Sequence, residues 1–213
     1  MKKIGILLIV MVVMTMPSWA GGDKSKQVLH FNADGKFKIV QFTDVHFQYD
    51  SFRSDSALVL MKTVIEKEKP DLVVLTGDIV CSKNTVKAWL ALSQVLIDAK
   101  VPWAVTLGNH DAEEKYETSK DEIMKTIVGL PYNLTKSGPE DISGKGNYIL
   151  EVKASSSDET AALFYFFDSH MGFHPKGELG SYEWIGFDQI AWYREQSSAY
   201  TRRNGGNPYP ALA

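Results

Sequence analysis

Three clusters of oxygen and imidazole donors recur in the first half of this chain: Asp44 with His46, Asp78 after Gly77, and Asn109-His110-Asp111 after Gly108. Carboxylate, imidazole and side-chain amide oxygen are ligand types for a hard or borderline divalent ion. Asp44 and His46 stand two apart, and in an extended stretch that spacing turns both side chains to one side, where they converge on one cation. Asp78 directly follows an apolar run, where an unpaired buried carboxylate is costly unless it meets a cation or hydrogen-bond donors. Asn109 offers a hard oxygen, and the neighbouring imidazole of His110 suits an acid or a charge held against a transferring group. Each cluster alone has a plain alternative: a polar surface turn, or a helix cap. Three of them at successive strand ends describe a site, and a pair of divalent ions sharing one carboxylate is suited to in-line displacement at phosphorus. Other chemistries fit less well. The chain has no Gly-rich phosphate loop, and Ser169 beside His170 lacks the surroundings of a nucleophile elbow.

The elements that must position these clusters can be read from periodicity. Residues 28–31 and 37–42 are β-prone runs around the turn 32–35 and predict a hairpin. Residues 54–69 carry apolar side chains at helical spacing up to Pro70. Residues 71–76 form an apolar run of the kind buried on both faces of a parallel sheet. A second helix is predicted over 85–99 and a further buried strand over 102–107. The result is β-α-β-α-β, with each strand ending in a polar cluster, at the edge where open α/β sheets bind ligands. In the second half, Ser119 and Glu122 form a capping box for a short helix. Residues 147–153 and 161–167 read as an antiparallel pair, Asp188 suits a helix start, and residues 211–213 resemble the opening of a strand.

Composition limits the partners. The 213 residues carry 23 basic and 26 acidic side chains, a formal charge of -3. No basic tract or Arg-rich stripe matches a nucleic-acid backbone, so no nucleic-acid partner is indicated. Residues 1–20 have a basic head at Lys2 and Lys3, an apolar run, and Ser18-Trp19-Ala20 as a cleavage site. They predict a secretory signal peptide removed before Gly21, with residues 21–213 as the exported domain, periplasmic or extracellular. The apolar run is too short for a stable membrane span. Cys81 is the only cysteine; it forms no internal disulfide and reads as a bystander.

Phe42-Thr43-Asp44-Val45-His46, Leu75-Thr76-Gly77-Asp78 and Gly108-Asn109-His110-Asp111 resemble the first three blocks of the calcineurin-like metallophosphoesterases. Phe167-Asp168-Ser169 and the stretch from Trp184 through Gln189 to Tyr193 make the chain most similar to the branch related to purple acid phosphatases. The resemblance runs from Phe37 to Tyr193. It implies an α/β fold, a four-layer α-β-β-α sandwich with the ions at the strand ends. It implies two divalent or mixed-valence transition-metal ions (Mn, Fe or Zn): Asp44, His46 and a bridging Asp78 on the first, and Asn109 with Asp78 on the second. His110 would contact the phosphate and protonate the leaving oxygen, with Asp111 orienting it. No tyrosine stands at the place of the ligand that colours true purple acid phosphatases. The substrate would be a phosphorylated small molecule or a phosphodiester. The later histidine blocks of the family are not in this sequence, so the domain is expected to be incomplete at its carboxyl end and its activity impaired. His170 and His174 are the histidines left over after the third cluster.

Overall fold

The structure, a computed structural model, describes residues 27–171 and 182–213. The expected signal peptide and His174 lie outside them. Two sheets form the framework. The first contains β2 (Ile39–Phe42), β3 (Leu72–Thr76) and β4 (Trp103–Thr106), all parallel, in the order β2-β3-β4. The second contains β1 (Leu29–His30), β5 (Tyr148–Lys153), β6 (Thr160–Phe166) and β7 (Ala211–Leu212), in the order β1-β5-β6-β7. Only β5 and β6 run antiparallel, as expected for a pair joined by a short polar connection.

Helices α1 (Phe52–Glu68), α2 (Thr85–Asp98) and α3 (Lys120–Ile127) cover the outer face of the first sheet. Met61 and Ile65 of α1, Trp89, Leu92 and Leu96 of α2, and Ile123 and Ile127 of α3 meet Val73, Leu75, Trp103 and Val105 there. The alternate residues of the same strands, Leu72, Val74 and Ala104, turn inward to Tyr148, Leu150, Val152, Ala162 and Phe166 of the second sheet. Period-two alternation thus splits each strand between two cores. Helix α4 (Phe187–Arg203) closes the far side, with Tyr200 against Leu163 and Tyr165. The layers are therefore helices, sheet, sheet, helix. Among the described residues no helix is long and apolar enough to cross a membrane.

Local signals set several boundaries. Helix α1 ends at Lys69, whose left-handed backbone (φ 47°) precedes Pro70, and the Lys69 N–H donates to the Ile65 carbonyl. The predicted capping box is present: the Glu122 N–H donates to Ser119 Oγ at 3.2 Å, and the Ser119 N–H to Glu122 Oε2 at 3.0 Å.

The hairpin expectation is corrected. A turn does form after β1, with the Gly35 N–H donating to the Asn32 carbonyl at 2.9 Å. The two strands then part, β1 pairing with β5 and β2 with β3. Phe31 and Phe37 pack edge to face at 5.9 Å against the core between the sheets, so the turn carries the chain from one layer to the other.

Candidate metal centre

Beyond the carboxyl ends of β2 and β3 the ladder continues irregularly. The Asp44 N–H donates to the Gly77 carbonyl at 3.1 Å, the His46 N–H to Asp78 at 2.9 Å and the Phe47 N–H to Ile79 at 2.9 Å. Asp44, His46 and Asp78 all have left-handed backbones, with φ of 53°, 49° and 53°. The extended geometry expected for Asp44 and His46 is therefore not what joins them. Two left-handed residues bend the chain so that the side chains meet. The third cluster approaches through glycine: Gly77 (φ 96°) packs on the backbone of Gly108, and a Cβ on Gly108 would collide with the Asp78 carboxylate.

One ligand atom each from Asp44, His46 and Asp78 lie within 4.8 Å of one another. His46 Nε2 is 3.8 Å from Asp44 Oδ1. Two carboxylates so close repel each other, and a divalent ion between them removes the repulsion. The donor set of two carboxylates and one imidazole suits zinc, manganese or iron. Asn109 borders the same cavity of about 360 Å³ as Asp44 and Asp78. A second cavity, of about 580 Å³, lies at the opposite ends of the strands, near Phe37, Pro70 and Pro102, and contains none of these donors.

His110 stands beside this group. Its ring centroid is 5.3 Å from that of His46, and its backbone N–H donates to Asp78 Oδ1 at 2.8 Å. The partner of its Nδ1 is Glu113 Oε1, at 2.8 Å. Burial pushes the Glu113 carboxyl up, but hydrogen bonds from Lys115 and His110 outweigh it and hold the group below its ordinary range. With Nδ1 donating to Glu113, Nε2 is the nitrogen left for a ligand.

The orienting part expected of Asp111 thus falls to Glu113. Asp111 is fully buried, and its carboxylate faces backbone instead. Oδ1 accepts from Ile79 and Val80 N–H, both at 2.9 Å, and Oδ2 accepts from Asp78 at 2.9 Å and Gly108 at 2.7 Å. Burial pushes the carboxyl up against the pull of those N–H groups. Asp111 ties the loop after β3 to the loop after β4.

Cys81 is no bystander. Its Sγ lies 3.2 Å from His46 Nδ1. Burial first, then the charges of Asp111 and Asp78, push the thiol up to about 12. It therefore stays protonated at neutral pH, and when His46 presents its Nε2 lone pair to an ion, Nδ1 carries the hydrogen and Sγ is the acceptor beside it.

The sequence profile of the calcineurin-like phosphoesterases matches residues 37–201. The chain belongs to the calcineurin-like phosphoesterase family. Among relatives in this family, the chain is 30% identical over 210 residues to "Probable inactive purple acid phosphatase 29" of Arabidopsis thaliana, covering 87% of this chain and 53% of that protein. It is 30% identical over 186 residues to "Phosphatase DCR2" of Saccharomyces cerevisiae, covering 76% of this chain and 32% of that protein. The chain therefore spans about half or less of the length of these curated relatives. A crystal structure of a dimetal phosphatase from Danio rerio shares the fold, with a TM-score of 0.55 at 13% identity over 83% of this chain and 69% of that one. The metallophosphoesterase sandwich expected from the sequence is thereby shown.

Glu113 and Cys81 are the residues that the sequence reading did not place in the site. Glu113, three residues after His110, carried a weak signal, because in a tight turn that spacing can bring a carboxylate back to the ring.

Proposed function

We propose that this calcineurin-like phosphoesterase hydrolyses phosphate monoesters or diesters with two divalent ions. The observation that carries the reading is the convergence of Asp44, His46 and Asp78 on one point. In this assignment Asp44, His46 and Asp78 hold one ion, and Asp78 and Asn109 hold part of the shell of the other. Bound there, the ions would polarise the phosphoryl oxygen and supply a nucleophile from water. His110, its Nδ1 fixed by Glu113, carries its proton on Nε2 when charged and gives it to the leaving oxygen. Asp111 keeps the two loops in register. The leader-like residues 1–20 make export from the cytoplasm part of this proposal.

A second reading has a specific observation behind it. Among the described residues, the group of His, Cys, Asp and Glu side chains able to share an ion contains only Asp44, His46 and Asp78. Relatives named "probable inactive" make binding of metal or phosphate without turnover the natural rival. One experiment separates the two. Manganese and zinc stoichiometry is measured beside turnover of a phosphate monoester and a diester, for the wild-type chain, Asp78→Asn and His110→Ala. Two ions with turnover, lost with the ions in Asp78→Asn and lost without them in His110→Ala, is the expected outcome. Metal binding with no turnover supports the rival reading, and wild-type protein that takes up neither metal refutes both.

A further inference from the structure

The cavity at the strand ends has a second wall, built from the loop that follows β6. Ser169, His170 and Glu183 border it together with Asp44, Asp78 and Asn109. His170 is fastened there with unusual thoroughness. Its backbone is left-handed (φ 69°), a conformation that a histidine holds only when its surroundings impose it. Its N–H donates to Asp168 Oδ1 at 2.8 Å, and its carbonyl accepts from Lys120 Nζ at 3.1 Å. Asp168 is 1% exposed and pairs with the same lysine at 2.5 Å.

The ring is oriented as well. Gln189, fully buried on α4, donates through Nε2 to the Asp168 carbonyl at 2.7 Å and to Asn147 Oδ1 at 2.8 Å. Asn147 Oδ1 is itself fixed as an acceptor, because the Asp168 N–H donates to it at 3.1 Å. The Gln189 oxygen is therefore an acceptor, and it receives the Gly186 N–H at 2.6 Å and His170 Nε2 at 2.9 Å. His170 must carry hydrogen on Nε2, and in the neutral ring Nδ1 bears the lone pair. The Glu183 carboxylate, which accepts the Met171 N–H at 3.1 Å, adds a second acceptor to this wall.

Phosphate oxygens are acceptors and gain nothing from a lone pair or a carboxylate. A hydroxyl does. Resting on the phosphoesterase reading above, we infer that His170 and Glu183 recognise hydroxyl groups on the alcohol portion of the ester. The favoured substrates are then polyhydroxylated, of the sugar-phosphate type, and not simple aryl phosphates.

The test compares a hexose phosphate with phenyl phosphate on the manganese-loaded chain, by calorimetric binding and by turnover. His170→Leu and Glu183→Leu should each weaken hexose phosphate roughly fivefold, the worth of one net hydrogen bond, and change phenyl phosphate less than twofold. Metal stoichiometry should not move. His170→Asn, which keeps an acceptor near the place of Nδ1, should recover most of the loss and guards against a misfolded leucine variant. Equal effects on both esters, or a wild-type protein without preference, overturn this inference and leave the phosphoesterase reading standing. Failure of the wild-type protein to bind or turn over either ester overturns both.

Discussion

Asp111 offers the sharpest test of how the site is held. In Asp111→Ala the N–H groups of Ile79 and Val80 lose their partner in a buried position, while those of Asp78 and Gly108 are partly buried. A stranded buried donor costs about 1–3 kcal/mol, and one that water can reach costs much less. Two at about 2 kcal/mol, with little from the other two, give a loss of about 4 kcal/mol. That is a large part of the 5–15 kcal/mol typical of a domain. Asp111→Asn should fall between, because its amide NH₂ faces N–H donors while its oxygen still accepts. Urea unfolding followed by tryptophan fluorescence measures both, since Trp89 and Trp103 are fully buried in the core beside these loops. If Asp111 served chiefly to orient His110, both variants would keep wild-type stability and lose only turnover. A loss below about 1 kcal/mol in Asp111→Ala would refute the structural account.

Two further outcomes follow from other carboxylates. Glu113→Ala frees the ring of His110 without touching Asp44, His46 or Asp78, so turnover should fall about tenfold or more with metal content unchanged; equal losses of both would place Glu113 in the metal shell. The Glu151 carboxyl is held at about 2: burial raises it, but hydrogen bonds from Lys153, Thr160 and Tyr200 outweigh that. Its folded value lies below its ordinary 4.5, so its contribution is present above about pH 4.5 and is lost as the pH falls toward 2. Solvent screening of this half-open group reduces the contribution to about 1 kcal/mol. Glu151→Gln should remove that part of the acid dependence in urea titrations between pH 2 and 7, and an unchanged slope would show that the cluster contributes nothing.

Elements whose evidence is local were legible in the sequence. The apolar runs gave β3 and β4, the Ser119–Glu122 pair gave the start of α3, and the clusters after each strand gave Asp44, His46 and Asp78 as neighbours. What failed depended on distant partners. A β-prone run around a turn reports that strands exist, not which strands they pair with, and β1 chose β5, far along the chain. Cys81 reaches His46 across 35 positions, a relation that no window of sequence can contain. Asp111 was given the wrong neighbour, because adjacency to His110 in sequence says nothing of where its side chain turns.

The left-handed backbones at Asp44, His46 and Asp78 place local strain at the three residues that could share an ion. Each asks a residue with a Cβ to sit where glycine sits freely, at roughly 1 kcal/mol apiece. Glycine at Asp44 or His46 would relieve that strain and remove a candidate ligand in the same step, whereas at Asp78 it would also strand the His110 N–H that the carboxylate accepts.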